Sequence, residues 1–289
     1  MPGAPPRSRV AHPPRPALQH RPRPRLNAGG KTMTITHAAG MSAPLRELLD
    51  PTITQQIHRL DLNPGSRVLE IGAGTGHVTA YLARAVGPLG RVVAVDDDTT
   101  HLNPTAVVDV YQRDVAADPA ELPGEPASFD LGVARWPHHR LADPAGLIDQ
   151  MLTRLRPGGW LVLADVTDTE PCVYCVAESG DEDLINAVVR RLYYTTLDAG
   201  STGRWPADVE GLLHDRGIDA VCLTAASETW TGGGPGCGVL AGIAAHAQPT
   251  LHALGIDAEG MDRFQTLMGD PRVALRSVER RGLHARKPA

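Results

Sequence analysis

Residues 67–98 read RVLEIGAGTGHVTAYLARAVGPLGRVVAVDDD, and the order of elements within them decides the fold. Val68, Leu69 and Ile71 make a short apolar run suited to a strand buried on both faces, and the run stops at Gly72-Ala73-Gly74-Thr75-Gly76. A helical pattern starts at about His77, with Val78, Tyr81, Leu82 and Val86 at helical spacing. A second strand over residues 91–95 follows, closed by Asp96, Asp97 and Asp98. Glycines at the turn let the backbone bend sharply and approach a ligand closely. An acid at the end of the second strand can accept hydrogen bonds from both hydroxyls of a ribose. The whole unit has the chemistry of a nucleoside-cofactor site.

The glycine spacing narrows the nucleoside. A dinucleotide turn follows G-x-G-x-x-G, its third glycine allowing close helix packing with the pyrophosphate at the helix N-terminus. Here His77 occupies the third-glycine position, and the pattern is E-x-G-x-G-x-G, with Glu70 on the strand itself. A pyrophosphate would meet a buried carboxylate there, whereas a cationic amino-acid end is attracted to it. That is the electrostatic preference of S-adenosylmethionine.

At these residues the chain resembles the class I S-adenosylmethionine-dependent methyltransferases, in their small-molecule, natural-product branch. The similarity runs with specific motifs over residues 49–165. Tyr111-Gln112-Arg113-Asp114-Val115 is similar to the family's segment after the third strand, Ser128-Phe129-Asp130-Leu131-Gly132-Val133 to the fourth strand, and Leu155-Arg156-Pro157-Gly158-Gly159-Trp160 to the turn into the fifth. The resemblance implies a cofactor set of Glu70, Gly72, Ala73, Gly74, Gly76, Asp96, Asp97, Asp114, Val115 and Arg135. Within it, Asp96 takes the ribose by position among three aspartates, and Asp114 the adenine amine. Trp230-Thr231-Gly232-Gly233-Gly234-Pro235-Gly236-Cys237, a loose C-terminal segment, and Gly269-Asp270-Pro271-Arg272 look like natural-product enzymes of high-GC bacteria. Leu62-Asn63-Pro64-Gly65-Ser66 running into the first strand also resembles isoaspartate-repair carboxyl methyltransferases, whose Ser/Thr-rich substrate loop is not visible. A methyltransferase-like interaction protein without catalysis is a third reading, opposed by the intact Glu70, glycines and Asp96.

Alternation of strands (about 67–71, 91–95, 107–111, 129–133, 160–165) with helices (76–86, 144–155) predicts an α/β fold, a doubly wound, seven-stranded, mostly parallel sheet. Residues 45–60 form an opening helix, or a pair broken at Pro51. Residues 220–229 and 273–286 supply the last two strands, the final one antiparallel in the family's order. Residues 167–204 and 241–271 exceed the minimal fold and are read as helical lids at the carboxyl ends of the strands, where open α/β sheets bind ligands. The first carries a helical stripe of Tyr174, Leu184, Val188, Val189, Leu192, Tyr193 and Tyr194. Trp136, Tyr174, Tyr193 and Tyr194 are the candidate acceptor contacts. His138 and His139, just past the fourth strand, are the candidate bases, because imidazole titrates near neutrality.

Charge excludes some partners. Residues 1–31 hold seven of the 28 basic residues and none of the 33 acidic ones, so the remainder carries 21 against 33. So acidic a body disfavours a nucleic-acid substrate. Residues 1–32, rich in Pro and Arg, are expected to be disordered and residues 33–289 to be the methyltransferase domain. No apolar run is long enough to span a bilayer, so neither a membrane nor a nucleic acid is expected as partner; a small-molecule acceptor is. Cys172-x-x-Cys175 has half the spacing of a zinc site, but Cys222 and Cys237 lie about 15 residues apart, so free thiols in a cytoplasmic protein and no metal are expected.

Overall fold

A computed structural model of the chain describes residues 42–60, 62–115, 122–135, 143–167, 169–176, 178–196, 205–218 and 221–289. The chain divides into two units, Met1–Lys31 and Thr32–Ala289. The first, with the stretch expected to be disordered, lies outside the described residues.

The strands of the main sheet are β1 (Arg67–Ile71), β2 (Arg91–Asp96), β3 (Val108–Gln112), β4 (Phe129–Arg135), β5 (Leu155–Val166), β7 (Val221–Ala226) and β10 (Arg280–Arg286). Their order is β3-β2-β1-β4-β5-β10-β7, with β1 to β5 parallel and β10 antiparallel to both β5 and β7. Alternate residues of each strand feed two cores. Leu69, Ile71, Val93, Val95, Leu161 and Leu163 point to one face, with Leu147 and Met151 of α3 (Pro144–Arg154) and Leu213 of α5 (Trp205–His214). Val68, Val92, Ala94, Val133, Val162 and Ala164 point to the other, with Ile53 and Ile57 of α1 (Ser42–His58) and Val78, Leu82 and Val86 of α2 (His77–Val86). Both faces are covered, which is why the strands read as near-continuous apolar runs.

The helix α1 runs unbroken through Pro51, the first of the two readings. An interior proline costs about 3 kcal/mol. Leu48, Ile53 and Ile57 on either side of it are all buried, and each such side chain contributes about 1.5–3 kcal/mol. Packing outweighs the proline.

Residues 273–286 form two strands, where one was expected. The segment β9 (Ala274–Arg276) belongs to a second sheet of order β6-β9-β8, with β6 (Cys172–Cys175) and β8 (Thr229–Thr231). The break falls at the fully buried Ser277. Its N–H donates to the Glu228 carbonyl at 2.8 Å, its Oγ accepts the Glu228 N–H at 2.8 Å, and the Thr167 N–H donates to the Glu279 carbonyl at 2.8 Å. Three connections, β5 to β6, β7 to β8 and β9 to β10, therefore cross together. Arg280 pairs with Val166 and Ala226, the last residues of β5 and β7, so the crossing lies at the carboxyl edge of the parallel strands.

Beyond it the helices α4 (Asp181–Thr196), α6 (Pro235–His246), α7 (Gln248–Ala253) and α8 (Ala258–Gly269) enclose a core of their own. Ile185, Val188, Trp230, Leu240, Leu251, Phe264 and Leu275 lie within it, as does Leu48 of α1. Residues 230–237, expected to be loose, are tightly packed: a Cβ on Gly236 would collide with the Trp230 indole. Cys237 sits in the first turn of α6, and burial pushes its thiol pKa up to about 11.

Candidate functional site

Register builds the site. Ile71 lies level with Val95 of β2 and Ala134 of β4, so the next residues along these parallel strands, Gly72, Asp96 and Arg135, reach the carboxyl edge together. Side-chain alternation puts Glu70, Asp96 and Arg135 on the face covered by α1 and α2. Gly72, Gly74 and Gly76 all have positive φ, at 75°, 54° and 78°, a conformation that favours glycine. A Cβ on Gly76 would also stand 3.0 Å from the side chain of the buried Leu102. Gly76 precedes α2, and no side chain caps that helix N-terminus.

Two carboxylates flank the turn. Asp96 is buried, and its oxygens accept the Gly74 N–H at 2.7 Å and the Asp98 N–H at 3.0 Å. Burial raises its pKa, and the two backbone donors oppose that. Glu70 is only 2% exposed, and its Oε2 has no hydrogen-bond partner. Burial pushes its carboxyl up to about 7. Thr75 Oγ1 and Thr79 Oγ1 are likewise buried with no hydrogen bond of good geometry, although the Thr79 hydroxyl lies close enough to Glu70 to oppose the rise of its pKa; all three such oxygens among the described residues belong to β1, the turn after it and the first turn of α2. Buried polar groups are nearly always satisfied, and a cluster of orphans marks a place where a polar ligand completes the structure.

Of the remaining expected cofactor residues, Ala73 is buried within the turn, Asp97 is exposed, Asp114 is exposed beyond β3, and Val115 is buried in the core shared with α3. Arg135 forms an ion pair with Asp50 of α1, and a Cβ on Gly74 would lie 3.7 Å from its Nη2. Asp50, Thr75, Thr79 and Leu102 were not among the expected site residues. The two threonines lie inside the quoted stretch, where the pattern rests on Glu70, the glycines, His77 and the closing aspartates. Asp50 is 85 positions from Arg135, with no local pattern to join them.

The acceptor side is less complete. His138, His139 and Trp136 lie outside the described residues, as does the side chain of Tyr194. Tyr174 belongs to β6 and not to the helical stripe expected; it is 61% exposed. Tyr193 is on α4 and packs against the lid core. Among the described residues no group of three or more His, Cys, Asp or Glu side chains is arranged to hold a metal, and no helix is long and apolar enough to cross a membrane.

A glycine turn thus lies between a buried strand acid and a second-strand acid, at the carboxyl edge of the parallel strands. A family model described as "Methyltransferase domain" matches residues 45–206, more than half of the chain. The chain belongs to that family. It is 28% identical over 196 residues to methyltransferase GfsG of Streptomyces halstedii, covering 66% of each chain. It is 30% identical over 122 residues, 38% of this chain, to highly reducing polyketide synthase 40 of Fusarium pseudograminearum, of whose length the match spans 5%. The solved structure of BH2331 from Bacillus halodurans C-125, assigned as a methyltransferase, superposes with a TM-score of 0.54 over 83% of this chain and 100% of that one. At 19% identity it establishes the fold.

Proposed function

We propose that the chain is an S-adenosylmethionine-dependent methyltransferase that methylates a small-molecule acceptor at oxygen or nitrogen, with the donor seated on the glycine turn. The observation that carries the seating is the unpartnered, fully buried Oε2 of Glu70. Its carboxylate takes the donor's ammonium, and the polar atoms of Thr75 and Thr79 complete that end. Gly72, Ala73, Gly74 and Gly76 supply close backbone, Asp96 and the adjacent Asp97 take the ribose hydroxyls, and Asp114 with Val115 holds the adenine. Asp96 also fixes the turn, since it holds the Gly74 and Asp98 amides in place before any ligand arrives.

The donor supplies a sulfonium methyl that is already activated for in-line displacement. What the protein adds is alignment of the acceptor lone pair and exclusion of water, worth several orders of magnitude when the geometry is right. An acceptor hydroxyl or protonated amine also has a proton to lose, and His138 or His139 is assigned to take it. The lid core stands beyond the carboxyl edge, where it can wall an acceptor. The name of the polyketide synthase favours a polyketide-like acceptor.

Transfer of labelled methyl to a panel of phenols, alcohols and amines, run beside an isoaspartyl peptide, tests this reading. Label in a small molecule is expected, and replacing the operative histidine with Ala should lower kcat about 10²- to 10⁴-fold with donor affinity unchanged. Label only in the peptide, as a base-labile ester, would replace this reading with the carboxyl-methylating one.

A further inference from the structure

The Asp50–Arg135 pair sits where the donor's amino-acid end would lie. Arg135 is the last residue of β4, level with Gly72 and Asp96 and on the same face as Glu70. Its Nη1 donates to Asp50 Oδ1, while Nη2 is the nearest atom to the position a Gly74 side chain would take. Both side chains are largely covered, at 20% and 18% exposure. One of the five N–H donors of the guanidinium is given to Asp50, and the fork has others to offer a second carboxylate. The helix that carries Asp50 is anchored on both sides of it, by Leu48 in the lid core and by Ile53 in the sheet core.

Charge gives the pair a purpose beyond packing. An amino-acid end carries an ammonium and a carboxylate, and Glu70 and Asp96 line the turn with two acids that attract the first and repel the second. A carboxylate can be seated here only against a cation, and the Arg135 guanidinium stands at Gly74. We propose that Arg135 receives the donor's α-carboxylate and that Asp50 is a positioning residue that holds the guanidinium in place. The inference rests on the donor site proposed above.

Calorimetry with S-adenosylhomocysteine and with its decarboxylated analogue, which keeps the amine, tests it without turnover. Arg135→Met should weaken S-adenosylhomocysteine about ten- to a hundredfold, the range for a lost hydrogen bond to a charged group, and the analogue less than about threefold. Asp50→Asn should weaken S-adenosylhomocysteine by a smaller factor and leave the analogue unchanged. Binding of the analogue also reports that each variant is folded. Equal losses on both ligands, or none on S-adenosylhomocysteine, would overturn the role of Arg135, and tighter binding by Asp50→Asn would overturn that of Asp50. If the unmodified protein binds neither ligand, the donor site itself falls. If Glu70→Gln weakens both ligands while Arg135→Met weakens neither, the donor site stands and only this inference fails.

Discussion

The edge formed by β1, β2 and β4 and the lid beyond it are made from the chain in opposite ways. At the edge, Asp96 and Arg135 end their strands and Glu70 stands one residue before the end of its own, so the alternation of buried residues fixes which face each takes. In the lid, one core gathers side chains from α1, α4, β8, α6, α7, α8 and β9, segments separated by the main sheet in sequence. The edge leaves buried oxygens unpartnered, whereas the lid core is lined almost wholly by apolar side chains. The first is organised for a ligand and the second for its own stability.

The largest effect that could break this contrast is in the lid. Phe264 is fully buried there, and Phe264→Ala should cost about 3–5 kcal/mol of unfolding free energy in a denaturant titration. Affinity for S-adenosylhomocysteine, measured where the variant remains folded, should change less than about threefold. A parallel collapse of affinity would mean that the two regions are one unit.

Next is Glu70, whose carboxyl lies at about 7 in the fold against 4.5 for the ordinary group. Between those values the folded chain binds the proton more tightly than the unfolded one. Glu70's contribution to the stability of the ligand-free protein is therefore greatest below pH 4.5 and is lost as pH rises through about 7, by up to about 3 kcal/mol. Glu70→Gln should flatten that part of the pH profile and leave the protein more stable at pH 8, yet bind S-adenosylhomocysteine more weakly. If the variant is less stable at pH 8, Glu70 is a structural acid with an internal partner.

Asp96 and its neighbour give the finest comparison. Asp96→Ala removes the acceptor of two backbone amides and the proposed ribose contact, and should weaken S-adenosylhomocysteine by about 1–3 kcal/mol in calorimetry. Asp98, whose Oδ1 accepts the Thr100 N–H at 3.0 Å, should tolerate Ala with less than about 0.5 kcal/mol of change in affinity. The reverse order would shift the register of the β2 end.

The same contrast explains what the sequence disclosed. Five parallel strands, the glycine turn, Glu70 and Asp96 were legible because period-two burial and local turn chemistry act over a few residues. Pro51 left one helix or two open, because what holds its helix is tertiary packing at Leu48, Ile53 and Ile57. Trp230 to Cys237 misled for a similar reason, since glycines signal a flexible loop unless an aromatic ring lies against one of them. The split at Ser277 depends on hydrogen bonds to Glu228, 49 positions away, and the Asp50–Arg135 pair on two residues 85 apart. No window of sequence contains either.

The central claim, that the turn between Glu70 and Asp96 seats S-adenosylmethionine and rejects a dinucleotide, is tested most directly by calorimetric titration of the intact chain with S-adenosylmethionine and with NAD. The expected result is micromolar or tighter binding of the first and no measurable binding of the second. Tight NAD binding with none of S-adenosylmethionine would contradict it.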